Sequence, residues 1–95
     1  MKHQSTLTKF AVKGQEVFRA TGGNLDMTLA AVEEALASTH IDVKHVNKDE
    51  AISNLVVGFN IFSNYFEIQY YANGSVEMRC FDRDTWELTG TANIA

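Results

Sequence analysis

Between residues 55 and 81, apolar and polar positions alternate with the period of a β-strand. Three runs, 55–62, 65–71 and 75–81, are rich in aromatic and β-branched residues, with breaks at Ser63-Asn64 and Ala72-Asn73-Gly74. This spacing predicts a meander of antiparallel hairpins. A three-residue second turn with Gly74 left-handed pairs Tyr70 with Val76, Ile68 with Met78 and Phe66 with Cys80. It also sets Gln69 against Glu77 and Glu67 against Arg79, so apolar and charged residues sort onto opposite faces. A tight Ser63-Asn64 first turn pairs Phe62 with Tyr65, Ile61 with Phe66, Phe59 with Ile68 and Val57 with Tyr70. Both turns give one inner face: Val57, Phe59, Ile61, Phe66, Ile68, Tyr70, Val76, Met78 and Cys80.

The strongest helical pattern lies at 24–38. Leu25, Leu29, Val32 and Leu36 form one stripe, Asn24 is a good N-cap, and Asp26 suits the first turn. Residues 6–20 fit two patterns. As a helix they place Leu7, Phe10, Ala11, Gly14, Val17 and Phe18 on one face. As a hairpin around Lys13-Gly14 they bring Phe10 opposite Val17, and the weak helix formers Thr6, Thr8, Val12, Gly14 and Val17 favour that choice. Residues 41–46 alternate as an additional strand, and 86–89 read as the last strand, followed by a loose tail over 90–95. The expected fold is α+β, a single domain over 1–95: an antiparallel sheet (55–62, 65–71, 75–81, 86–89) with the 24–38 helix on its inner face.

Composition narrows the function classes. Ninety-five residues, 45% apolar, suffice for one core but leave little room for a deep pocket. The net charge is −4, divided unevenly. Up to Gly23 the chain carries Lys2, Lys9, Lys13 and Arg19 against Glu16, a balance of +3, and the remainder carries −7. The acidic total argues against nucleic-acid binding, which rests on neutralising phosphates. No apolar run reaches membrane-spanning length and no signal-peptide pattern opens the chain, so a cytoplasmic protein is expected.

Candidate chemistry is sparse. Cys80 falls on the inner face between apolar neighbours, where a thiol is filler. Thr21-Gly22-Gly23 lacks the further residues of either nucleotide-binding fingerprint. Asp82, Asp84 and Glu87 lack the remaining ligands and the glycine of a calcium loop, and read as an Asx turn. No metal site or cofactor is expected. His40 and Asp42, side by side on the 41–46 strand pattern, form the one acid–base pair, without a local third partner.

The outer face carries the unusual signal. Phe62, Tyr65 and Phe81 gather at one end beside Trp86, with Tyr71 and Arg79 further along. Either the chain ends cover these aromatics or a partner does. The leading expectation is a small non-catalytic protein-binding module (a regulator, inhibitor or adaptor) that meets a protein partner, or a second copy as a homodimer, through those six residues. The alternative is a small-ligand or acid–base enzyme domain using His40 and Asp42.

Overall fold

The computed structural model describes residues Met1–Ala95. Two helices, α1 (Gln4–Ala20) and α2 (Leu25–Ala37), precede five strands: β1 (Val43–Asp49), β2 (Asn54–Ile61), β3 (Asn64–Tyr70), β4 (Val76–Asp82) and β5 (Leu88–Ile94). The strands form one antiparallel sheet in chain order, β1-β2-β3-β4-β5. Both helices pack on the same sheet face, which makes a two-layer α+β domain.

Residues 6–20 are helix, so the hairpin favoured by local propensity is replaced by the helical alternative. Tertiary packing overrides the weak helix formers. Leu7, Phe10, Ala11, Gly14 and Phe18 all turn into the core. Gly14 is there for close approach: a β-carbon at this position would overlap the Tyr70 hydroxyl and crowd Val32. The helix closes through Gly23 N–H to Phe18 C=O (2.8 Å), with Gly22 and Gly23 both at positive φ.

The second helix starts where its capping residues predict. Asn24 Oδ1 accepts the Met27 N–H at 3.0 Å, and Asp26 occupies the first turn. At its far end His40 takes a left-handed conformation (φ 61°), while Ile41 N–H returns to Leu36 C=O. Between the helices and the sheet lies one apolar core, with Leu7, Phe10, Phe18, Leu25, Val32 and Leu36 above Leu55, Val57, Phe59, Phe66, Ile68, Tyr70, Val76, Met78 and Cys80.

The second hairpin has the predicted register: Tyr70 pairs with Val76, Ile68 with Met78 and Phe66 with Cys80, around Gly74 at φ 85°. The first hairpin is shifted. Its loop is Phe62-Ser63, so Ile61 pairs with Asn64 and Phe59 with Phe66. Shifting each pair by two residues leaves every side chain on its predicted face, because strand faces repeat every second residue. Phe62 is the exception: it leaves the strand for the turn, at φ 53°.

Both flanking strands differ from the pattern read along the chain. The 86–89 strand begins at Leu88 and runs to Ile94, so the expected loose tail is ordered sheet. Trp86 lies in the preceding loop. At the other edge, β1 starts at Val43 and continues to Asp49 with a bulge between Val43 and His45. The bulge lets Val43 face the core opposite Phe59 and then turns His45 to the open side opposite Gly58.

Candidate interaction face

No element of the chain covers the second face of the sheet. The N-terminal segment lies on the helix side and the last strand extends the sheet edge, so neither shields the outer aromatics. Four of the six residues singled out on that face are strand residues or adjoin one: Tyr65, Tyr71, Arg79 and Phe81.

Tyr65 is the hub. Its ring centroid lies 6.0 Å from that of Phe81 and 5.6 Å from that of Trp86. Gly58 on the neighbouring strand is the seat for this ring, since a β-carbon there would overlap the phenol. Partial burial, then the Glu67 carboxylate beside it, pushes the Tyr65 hydroxyl up to about 12. That hydroxyl donates to Glu67 Oε2 at 3.2 Å.

The loop after β4 aims Trp86. Asp82 Oδ1 accepts the backbone N–H groups of Asp84 (2.8 Å) and Thr85 (3.2 Å), the expected Asx turn. These bonds hold the Asp82 carboxyl below its ordinary range. Trp86 N–H then donates to Asp82 C=O at 2.7 Å and the residue adopts φ 59°. The indole stays 60% exposed beside Tyr65.

Phe62 does not join this cluster. In its turn it is 84% exposed, and its nearest ring is His3, at 6.4 Å, before α1. Arg83 Nη1 donates to the Phe62 carbonyl at 2.9 Å and so ties the two loops at this end together.

Along the face runs a continuous polar ladder. Arg79 reaches Glu67 at 3.1 Å and Glu77 at 2.7 Å, and the Tyr71 hydroxyl donates to Glu77 at 3.2 Å. Burial and then this bond to Glu77 raise the Tyr71 hydroxyl above its ordinary value. The ladder side chains shield one another: Arg79 is 23% exposed and Glu67 18%, although nothing lies over them.

Beside Tyr65 and Trp86 the face is concave, a shallow cleft of about 540 Å³. Lys44, His45 and Arg83 stand around it with Asn60 and Glu67. Sequence reasoning missed His45 and Asn60. Uninterrupted alternation along 41–46 would set His45 on the same face as Val43, and the bulge reverses it. Asn60 Oδ1 is buried without a hydrogen-bond partner, the single such side-chain atom in the protein.

The His40–Asp42 pair is not formed. His40 ends α2 in a turn and β1 begins only at Val43, so the two do not lie side by side on a strand. Both are exposed, no hydrogen bond or ion pair joins them, and neither lines the cleft. Cys80 is buried, its thiol 3.7 Å from Asn64 Oδ1 and 3.3 Å from the Thr89 hydroxyl. No group of three His, Cys, Asp or Glu side chains is arranged to hold a metal ion, and no helix is long and apolar enough to cross a membrane. No protein-family model, curated protein sequence or solved structure matches the chain.

Proposed function

We propose that the domain is a non-catalytic protein-binding module that receives its partner on the open sheet face. The observation that carries this reading is the Tyr65–Phe81–Trp86 cluster, left uncovered on the open sheet face and bordered by the Arg79 ladder. Aromatic anchors within a polar surround are the usual composition of a binding hot spot. Tyr65, Phe81 and Trp86 are the proposed anchors, Arg79 and Tyr71 the polar rim, and Phe62 an outlying contact.

The lining of the cleft supports a partner segment of mixed chemistry. Tyr65 and Trp86 suit an apolar side chain. Lys44 and Arg83 favour acidic flanks on the same segment. A small-molecule or acid–base role centred on His40 and Asp42 draws no support from two exposed, unpaired side chains.

Comparative capture tests the proposal. Wild type, Tyr65→Ala/Trp86→Ala and a helix-face control, Lys9→Ala/Lys13→Ala, are immobilised and exposed to lysate of the source cell. A protein held by wild type and control, lost from the aromatic variant and released by salt is the expected result. An identical retained set for all three would overturn it.

A further inference from the structure

The two edges of the sheet are built differently. Strand β1 carries Lys44, Lys48 and Asp49, is kinked by the bulge at Lys44, and ties Lys48 to Asp26 of α2 at 2.7 Å. Charges and bulges are the devices that keep an edge strand from pairing with another chain. Strand β5, Leu-Thr-Gly-Thr-Ala-Asn-Ile, has a bulge of its own at Thr89 and is regular from Gly90 to Ile94, but it has no charged residue and no proline, so the two edges differ in charge.

Above β5 the facing stripe of α1 carries no charged side chain, while Met1 with its terminal ammonium lies over Gly90. Thr8, Val12 and Gln15 follow the i, i+4, i+7 spacing of one helix stripe. Gln15 Nε2 donates to the Ala95 carbonyl at 3.3 Å, which fixes this stripe of α1 on the β5 side. Lys13 and Glu16 instead flank the groove towards α2, and Arg19 is turned onto the Gly74 carbonyl. In a chain that is 21% charged, one seam whose β5 and α1 side chains are uncharged thus runs through both layers.

We propose that this seam joins two copies of the chain, β5 to β5 antiparallel, into one continuous sheet. A lone peptide strand would satisfy the free backbone groups of β5 but leave Thr8 and Val12, the half-buried part of the α1 stripe, uncovered. A second copy covers both, because a two-fold axis brings its own α1 to the same height. With the axis at Ala92, Thr91 faces Asn93 of the other copy on the open side, a neutral hydrogen-bonding pair. On the helix side Ile94 faces Gly90, over which Met1 of the same chain already lies, so the isoleucine meets that apolar side chain. A seven-residue strand spans roughly 23 Å. With one helix layer the footprint is smaller than the ~800 Å² per partner of a standard interface, so the dimer dissociates on dilution. The Tyr65 face remains open in this arrangement.

Light scattering from micromolar to millimolar protein tests the seam. Wild type should rise from monomer towards dimer mass. Thr91→Lys/Asn93→Lys and Thr91→Glu/Asn93→Glu should each stay monomeric with an unchanged circular-dichroism spectrum, and their mixture should recover the dimer. Tyr65→Ala/Trp86→Ala should dimerise like wild type, so loss of partner capture and loss of the seam read out separately. A wild type that stays monomeric, charged variants that still dimerise, or a mixture that stays monomeric would overturn the proposal. So would loss of the dimer in the Tyr65/Trp86 variant.

Discussion

The hydroxyl of Tyr70 donates to the carbonyl of Ala11 at 2.8 Å, across the space that Gly14 leaves open. This contact locks sheet to helix at the centre of the core. Gly14→Ala would gain up to ~1 kcal/mol of helix propensity. It would also force the Tyr70 ring aside, at ~1–3 kcal/mol for overpacking and ~1 kcal/mol for the hydrogen bond. A net loss of about 1–3 kcal/mol in urea unfolding is expected. An unchanged or higher midpoint would show that the site relaxes freely.

Burial also makes Tyr70 a pH-dependent element. Desolvation raises its hydroxyl well above the ordinary value of 10. The group is neutral in both states below pH 10, so its stabilising contribution is fully present there. Above pH 10 the unfolded chain ionises first, and stability falls until the folded pKa is passed, by about 1.4 kcal/mol per pH unit for this group. Tyr70→Phe should cost about 1 kcal/mol at neutral pH and flatten the alkaline decline. Equally steep alkaline unfolding in both proteins would assign the decline elsewhere.

Gly58 plays the corresponding part on the open face, beneath the Tyr65 phenol. A methyl group there displaces an aromatic ring without entering the core. Gly58→Ala is expected to keep the fold and to change the fluorescence of Trp86, the sole tryptophan, whose indole contacts Tyr65. It should also weaken partner capture. Unfolding of the variant would mean that the Tyr65 seat is part of the stability of the sheet.

Phe62 occupies a left-handed turn position that favours glycine, and it gains little burial in return. Phe62→Gly should therefore stabilise the domain by about 0.5–1 kcal/mol. Thermal unfolding of the two proteins makes the comparison. A clear fall in stability would assign more to the His3 ring contact than 84% exposure suggests.

Much of the fold was legible because strand faces repeat every two residues. The inner face from Val57 to Cys80 survived even the misplaced first turn, since a shift of two residues in pairing preserves it. Helix α2 announced itself through Asn24 and its leucine stripe. Helix α1 was obscured by Gly14, whose role is to admit a tyrosine from a strand 56 positions away, a contact no local pattern encodes. The aromatic face was legible in Tyr65 and Phe81. Trp86 came with it only through the Asx turn, while His45 depended on a bulge and Asn60 on burial. The His40–Asp42 pair failed because helix α2 ends by placing His40 in a turn conformation.

The measurement to make is an NMR titration of the isotope-labelled domain with the protein it captures. Trp86 supplies a single indole N–H signal and Asn60 a side-chain amide within the cleft. Binding at the open face should shift both, along with the backbone signals of Tyr65, Phe81 and Arg79, and leave the exposed residues of α1 and α2 in place. Shifts confined to the helices, with the Trp86 and Asn60 signals unmoved, would contradict binding at the sheet.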